Sequence, residues 1–146
     1  MCLLPFEETF LGKLKLTSFE ALRTATRKIC PKCHTSKCFY CYDCLVPLCP
    51  LPDLDPLPLH ISVIRHPKEK ISKSSIVAAK LIATKSISIH NYPDIPSEEE
   101  LNSKNTCLLF PTKDAKKIQD YDASFVKNLT HLVIIDCTWN QTKKML

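Results

Sequence analysis

The sequence predicts an α/β fold with a mostly parallel sheet, preceded by a small cysteine-rich module. After residue 58, short apolar segments with the pattern of β-strands alternate with helical patterns, which is typical of parallel βαβ units. Before residue 50, six of the nine cysteines lie in one window, residues 30–49. A chain of 146 residues has room for one domain with such a module attached.

The elements of the α/β part can be assigned in chain order. The first predicted strand alternates at period two, and the fourth is a continuous apolar run, as expected for a strand buried on both faces. The acidic run at residues 98–100 predicts a short helix or an exposed loop. The predicted strands are residues 59–64, 87–92, 107–110 and 132–135, and the predicted helical segments are residues 72–83, 114–118 and 140–145.

The chain divides into four segments by composition. Within the first, residues 19–28 predict a short helix that has Ser18 as its N-cap. The third is rich in proline and cannot be helical. The segments are a basic arm with this helix at residues 1–28, the cysteine-rich module at 29–49, a linker at 50–58 and the α/β domain at 59–146.

The sequence excludes two kinds of phosphate-binding loop and shows no secretory signal or membrane span in its residue pattern. Gly12 is the only glycine, so neither a Walker A loop nor a GxGxxG turn can form. Residues 1–10 lack the pattern of a secretory signal, and no apolar run approaches the ~20 residues of a membrane span. We therefore expect a protein of the nucleus and/or cytoplasm, without membrane association. No obligate protein partner is evident from the sequence. The net charge of +5 permits an acidic partner.

The cysteines of the module form two pairs with the spacing C-x-x-C. In reducing compartments such a cluster binds metal more often than it forms disulfides, and each pair supplies two thiolates from one tight turn. Zn²⁺ takes four soft ligands in a tetrahedron. Cys38 or His34 could replace one ligand, and a set of reduced structural cysteines is the alternative without metal. The predicted ligands of a structural Zn²⁺ are Cys30, Cys33, Cys41 and Cys44.

Basic and aromatic residues surround the two cysteine pairs. Residues 13–37 contain seven lysines and arginines against one acid, Glu20, and three aromatic residues follow, Phe39, Tyr40 and Tyr42. This combination is typical of an RNA-binding surface. The alternative is a solvated helix face beside a metal-binding turn.

Polar, titratable and aromatic side chains follow three of the predicted strands, at residues 65–69, 110–113 and 136–139. Ligands of open α/β sheets bind beyond the carboxyl ends of the strands, so these segments would meet at one rim if the strands are parallel neighbours. Asp136 could be a general base, a hydrogen-bond acceptor or a helix N-cap. Trp139 could stack on a base or pack in the core.

Four motifs occur in a fixed order along the chain. They are the two cysteine pairs, HPKE at residues 66–69, LLFP at 108–111 and IDCTWNQTKKM at 135–145. Together they resemble the DTW-domain family, named for its D-x-T-W motif, over nearly the whole chain. The resemblance implies a SPOUT-like α/β fold that binds S-adenosylmethionine. It also implies transfer of the 3-amino-3-carboxypropyl group of this cofactor to N3 of a uridine in tRNA, which forms acp3U. The cofactor has no phosphate, so the missing glycine loops are no obstacle.

The resemblance also implies roles for single residues. Asp136 would take or orient the N3 proton of the uridine. The basic arm and the cysteine pairs would hold the tRNA. The cofactor pocket would be formed by Leu109, Phe110, Pro111, Thr138 and Trp139. Weaker candidates for contact with cofactor or RNA are His66, Lys73, Ser74, Arg27 and Lys28.

Family members continue past the D-x-T-W motif with elements that complete the cofactor cleft and, in SPOUT-like folds, its knot. This chain ends at Leu146, seven residues after Trp139, and we therefore expect a C-terminally incomplete, truncated form. The alternative function is that of a catalytically inactive isoform, which acts at most as a zinc-dependent RNA-binding module.

Overall fold

The structure is a computed structural model that describes residue 18, residues 20–52, residues 56–143 and residue 145. Within these residues it contains eight β-strands and five α-helices, numbered here in chain order. Four short strands form two antiparallel hairpins in the cysteine-rich module, and the other four form one parallel sheet. No helix in this part of the chain is long and apolar enough to cross a membrane.

The parallel sheet confirms the predicted α/β class. Its strand order is β6-β5-β8-β7, and every neighbouring pair runs parallel. The central strands β5 and β8 are far apart in sequence, and Arg65 at the end of β5 pairs with both Asp136 of β8 and Asn91 of β6. The carboxyl ends of three strands therefore lie side by side. The strands are β5 (His60–Arg65), β6 (Ile87–Asn91), β7 (Thr106–Leu109) and β8 (His131–Asp136).

Short helices connect the strands of the sheet. The buried apolar core among the described residues is small, and it includes Val63 of β5, Val77 of α2, Ile87 of β6 and Val133 of β8. The helix α2 packs against β6. The helices are α2 (Ile76–Ile82) between β5 and β6, α3 (Glu98–Leu101) between β6 and β7, α4 (Ala123–Asn128) between β7 and β8, and α5 (Trp139–Thr142) after β8.

Two histidines on the strands are paired with serines across the sheet. Nε2 of the buried His131 lies 2.8 Å from the Ser62 hydroxyl, and Nε2 of His60 lies 3.1 Å from the Ser88 hydroxyl. These hydrogen bonds explain how these four polar side chains are accommodated in the sheet. The predicted burial of the fourth strand on both faces is wrong, because only His131 and Val133 of β8 are buried.

The helix predicted at residues 19–28 is shorter in the structure. The helix α1 covers Glu20–Arg23, and the Ser18 hydroxyl accepts a hydrogen bond from the Glu20 amide, as predicted for its N-cap. Phe19 lies outside the described residues. Lys28 belongs to a strand instead, because the backbone at residues 28–29 pairs with residues 36–37 across the first cysteine turn.

Two other helical predictions are corrected. The helix predicted at residues 72–83 begins as a three-ten turn, Ile71–Lys73, and becomes α-helical only at Ile76, since Ser74 between them is extended. Residues 114–117 are not helical, and the helical segments are Ile118–Asp120 and α4. The Asp122 carboxylate caps α4 by accepting a 2.8 Å hydrogen bond from the Ser124 amide.

Candidate metal centre and candidate active site

Each cysteine pair lies on its own β-hairpin. The first pair occupies the turn between β1 (Lys28–Ile29) and β2 (Ser36–Lys37). The second pair begins at the end of β3 (Tyr40–Cys41) and continues into the turn before β4 (Val46–Pro47). The module is therefore built from two similar units, and each unit supplies two thiols.

The residue that follows each pair has a left-handed backbone conformation. His34 has φ of 58° and Leu45 has φ of 53°, and this region favours glycine. The conformation closes the first turn, in which the His34 amide donates a 2.9 Å hydrogen bond to the Cys30 carbonyl. A left-handed residue other than glycine costs roughly 1–2 kcal/mol, so both hairpins carry a strain that other interactions must offset.

The four predicted ligands form one cluster. Their Sγ atoms all lie within 4.8 Å of one another, and the Sγ atoms of Cys33 and Cys41 are 3.6 Å apart. Zn–S bonds of about 2.3 Å in a tetrahedron place sulfurs about 3.8 Å apart, so the cluster fits this ion. Cys38 lies elsewhere, with its Sγ 3.7 Å from the Ala25 carbonyl oxygen, and neither it nor His34 belongs to the cluster. The cluster could hold a metal ion with the donor set that zinc prefers.

The thiols of the cluster differ in acidity. The Thr35 hydroxyl and backbone lower the pKa of Cys33 to about 6. The hydrogen bond with Cys33, together with burial, raises the pKa of Cys44 to about 12. Metal ligation requires deprotonated sulfurs, so a divalent cation at the centre of the cluster would favour the thiolate form of all four cysteines, including Cys44.

Asp136 is the last residue of β8, at the carboxyl edge of the sheet. The Ser74 hydroxyl donates a 2.7 Å hydrogen bond to Asp136 Oδ2. Ser74 Oγ also accepts a 3.3 Å hydrogen bond from the Ile76 amide, which directs the hydroxyl hydrogen to the carboxylate. Since Ser74 is buried, this pair holds the carboxylate in one orientation. The N-cap of α5 is Thr138, so the alternative of Asp136 as the cap of that helix is wrong.

His66 and Lys73 lie near Asp136 but differ in their contacts. The backbone amide of His66 donates to the Asp136 carbonyl at 3.1 Å, and its Nδ1 accepts from the Lys68 amide at 3.1 Å. The His66 ring is thus part of a local turn. Lys73 is exposed in the three-ten turn directly before Ser74.

Arg65 begins the first of the predicted rim segments, and its partner Asn91 was not predicted as part of the site. The Nε and Nη2 atoms of Arg65 donate to Asn91 Oδ1 at 3.1 and 2.6 Å. This pair places a guanidinium at the carboxyl ends of β5 and β6. The strand ends pointed to Arg65, but its pairing with Asn91 depends on the register between two strands.

Trp139 and Phe110 form the aromatic part of the rim. Their ring centroids are 5.8 Å apart at an interplanar angle of 50°, and Trp139 is 69% exposed, so the alternative in which Trp139 packs in the core is wrong. Leu109 ends β7 and is 61% exposed. Pro111 continues the exposed segment after Phe110, and the Thr138 amide donates to Gln141 Oε1 at 2.8 Å. The structure thus brings together Phe110 and Trp139 of the five predicted cofactor residues.

A cavity of about 320 Å³ opens on one face of the parallel sheet. Its strand residues include Ile64, Leu108, Val133 and Ile135, and Leu101 of α3 also lines it. None of the predicted site residues lines this cavity, although Leu108 directly precedes Leu109. Sequence reasoning missed it because alternating apolar strand residues have the same pattern whether they face a cavity or a packed core.

The D-x-T-W motif lies at the carboxyl end of β8, and a module with a metal-binding arrangement of cysteines precedes the sheet in the chain. This combination defines an α/β protein of the DTW class. The sequence profile of the DTW domain matches residues 27–146. The chain therefore belongs to the DTW-domain family. No solved structure shows a significant match to it.

Curated relatives with significant similarity carry the name tRNA-uridine aminocarboxypropyltransferase 1. The protein of Xenopus tropicalis is 32% identical over an alignment of 187 positions, gaps included, which covers 96% of this chain and 63% of the relative. The protein of Mus musculus is 39% identical over 126 positions, which cover 82% of this chain and 41% of the relative. The protein of Homo sapiens is 31% identical over an alignment of 181 positions, which covers 92% of this chain and 59% of the relative. The chain spans less than two thirds of the length of each.

Proposed function

We propose that this protein is a tRNA-uridine aminocarboxypropyltransferase, which transfers the 3-amino-3-carboxypropyl group of S-adenosylmethionine to N3 of a uridine in tRNA. Membership of the DTW-domain family and the names of the relatives support this proposal. The observation that carries it is the orientation of the motif aspartate. Asp136 lies at the carboxyl edge of the central strand pair and is held there by Ser74, where α/β folds bind their ligands.

The residues at the rim fit S-adenosylmethionine. This molecule combines an adenine ring with a sulfonium cation, and both are attracted to aromatic faces such as those of Trp139 and Phe110. It has no phosphate, in keeping with a chain whose only glycine is Gly12. When bound, it supplies the electrophilic carbon that the uridine N3 attacks, with methylthioadenosine as the leaving group.

The chain itself must orient the two reactants and manage one proton. Because Ser74 donates to Oδ2 of Asp136, Oδ1 remains for the substrate. We assign to Oδ1 one of two roles: it accepts the N3 proton of the uridine as a general base, or it orients that proton. The exposed ring of Trp139 follows three residues along the chain and would hold a ligand beside that oxygen.

The cysteine module would act on the tRNA rather than on the cofactor. A structural Zn²⁺ would be held by the four clustered cysteines and would fix the two hairpins relative to each other. Arg27 directly precedes the first hairpin and Lys28 is the first residue of β1; both are exposed and would contact phosphates of the RNA.

The proposal is tested with the purified zinc-loaded chain, unmodified tRNA and two isotopically labelled forms of S-adenosylmethionine. Label in the α-carbon of the methionine part should enter tRNA as acp3U in nucleoside mass spectrometry. Label in the S-methyl group should not enter. A folded chain that yields no acp3U, or that transfers the methyl group, contradicts the proposal.

A second candidate function is RNA binding without catalysis. The observation in its favour is that the cysteine hairpins carry their own sulfur cluster and basic residues, apart from the rim. This candidate predicts salt-sensitive binding of tRNA and no heat of binding for S-adenosylmethionine in calorimetry. Cofactor binding in that experiment decides for the enzyme.

Replacing Ser74 with alanine should lower kcat by about 10-fold or more, since a hydrogen bond to a charged group contributes about 1.5–3 kcal/mol. KM for tRNA should stay nearly unchanged, because Ser74 acts on Asp136 and not on the RNA. The measurement is steady-state formation of acp3U. Ser74→Thr keeps the hydroxyl and should restore most of the rate.

The matched control for this variant is Ser75→Ala. Ser75 is the exposed neighbour of Ser74, and its side chain makes no capping hydrogen bond to α2. It should leave kcat unchanged. An unchanged kcat in Ser74→Ala would mean that Asp136 keeps its orientation without this hydrogen bond.

A further inference from the structure

The cysteine module contains a second concave site, which we call the hairpin groove. It has a volume of about 320 Å³ and is lined mainly by Arg27, Ser36, Lys37, Phe39, Tyr40 and Tyr42. The groove shares no residue with the cavity on the parallel sheet. Its lining combines aromatic rings with two cationic side chains on adjacent elements.

We propose that the hairpin groove binds one unstacked nucleotide of single-stranded RNA, with the base against Phe39 and Tyr40 and the phosphate against Arg27. This inference rests on the proposed function in one respect, namely that the RNA is the tRNA substrate. It goes further by naming the subsite and the kind of nucleotide that enters it. The nucleotide comes from a loop, because only unpaired bases expose a face for stacking.

The aromatic residues of the groove differ in how much of each ring is free to stack on a base. The Lys37 ammonium lies 3.6 Å from the centroid of the Tyr42 ring and covers one face of it. Phe39 is 41% exposed, although it is a large apolar side chain. The backbone of Phe39 is fixed to the second hairpin, since its carbonyl accepts hydrogen bonds from the Leu48 amide at 2.9 Å and from Cys49 Sγ at 3.4 Å. A fixed backbone with an exposed ring is suited to stacking on a base.

The two cations of the groove also differ. Lys37 forms an ion pair with Asp43 at 3.4 Å, so its charge is compensated within the protein. Arg27 forms no ion pair with any residue in the described part of the chain. Its Nε donates to the Ser36 hydroxyl at 3.2 Å and its Nη2 to the Ser36 carbonyl at 2.6 Å. The guanidinium is therefore oriented before ligand binding, and its remaining N–H groups can donate to a phosphate.

The test uses the full zinc-loaded chain and a fluorescein-labelled unmodified tRNA transcript, with binding measured by fluorescence anisotropy at several salt concentrations. Phe39→Leu should weaken binding about 10-fold, the loss of one base–aromatic stack, with no change in the slope of log K against log salt. Phe39→Trp should keep the affinity. Arg27→Ala should lower the magnitude of that slope by about 0.7 to 0.9, which corresponds to one phosphate contact.

Controls separate the groove from general effects of charge and apolar surface. Ile118→Ala removes an exposed apolar side chain outside the module, and Lys104→Ala removes an exposed charge outside it. Both should bind tRNA like the unchanged chain. Zinc content, measured in every variant, shows that the hairpins remain folded.

Two results would overturn the inference, and they can be told apart. If the unchanged chain binds tRNA and Phe39→Leu and Arg27→Ala bind it equally well, the groove is not a nucleotide site, while the proposed function stands. If the unchanged chain does not bind tRNA at all, the inference fails together with the proposed function.

Discussion

Asp136→Asn should lower the rate of acp3U formation by about 10²–10⁴-fold, the range that general acid–base catalysis contributes. Asparagine has nearly the same shape as aspartate, and its carbonyl oxygen can still accept the hydrogen bond that Ser74 donates to Oδ2. It cannot accept a proton from the uridine N3. The expected loss is therefore in the chemical step, and it should appear in single-turnover nucleoside mass spectrometry with saturating S-adenosylmethionine.

The control for this substitution is Asp114→Asn, which changes an exposed carboxylate in the segment between β7 and β8. It should retain the full rate. Affinity for tRNA should stay within about twofold in both variants, because Asp136 contacts one base of the tRNA and the phosphate and stacking contacts are expected on the cysteine module. If the rate of the Asp136→Asn variant lies within about tenfold of the wild-type rate, Asp136 does not accept the proton.

Local patterns were sufficient to predict the strands and their meeting point. The continuous apolar run before Asp136 predicted the position of β8 without tertiary information, although the burial on both faces that it also predicted is wrong. The carboxyl ends of parallel strands share one edge, and the segments after β5 and β8 therefore meet in the structure as predicted. The short helices were harder to predict, because a helix of four residues has little propensity of its own and depends on its surroundings.

The contacts that define the rim were beyond a sequence pattern. Ser74 and Asp136 are 62 positions apart, and their hydrogen bond depends on the register of β8 beside β5 and on where α2 begins. The contact of Ser74 with cofactor or RNA stays a prediction, and the structure adds the hydrogen bond from its hydroxyl to the Asp136 carboxylate. The pairing of Arg65 with Asn91 likewise depends on register.

In the cysteine module, the cluster of side chains could be predicted and the backbone conformation could not. The spacing C-x-x-C fixes two thiols within one turn, so the four clustered sulfurs could be predicted from the sequence. The left-handed residues His34 and Leu45 could not, because glycine is the usual marker of that conformation and neither position has it. These two positions show that the hairpins hold a backbone shape that their sequence does not favour.

Cys41→Ser should weaken zinc binding by more than about 100-fold, since the loss of a group that merely supports a metal ligand already costs 10–100-fold. The unchanged chain should hold one Zn²⁺, measured by mass spectrometry of the metal content. Cys38→Ser is the matched control, because its sulfur lies near the Ala25 carbonyl and outside the cluster. It should keep the ion. Loss of zinc in Cys38→Ser and its retention in Cys41→Ser would contradict the assignment of the ligands.

The loss of zinc should also separate the two halves of the proposed function. Each hairpin has strands of two residues and a left-handed residue in its turn, and a hairpin of this kind is not stable alone in water. Without the ion the hairpin groove should therefore disappear, and the affinity of Cys41→Ser for tRNA should fall at least as far as that of Phe39→Leu. The parallel sheet has its own core, so binding of S-adenosylmethionine at the rim should persist in calorimetry. Loss of cofactor binding together with zinc would mean that the module also supports the rim.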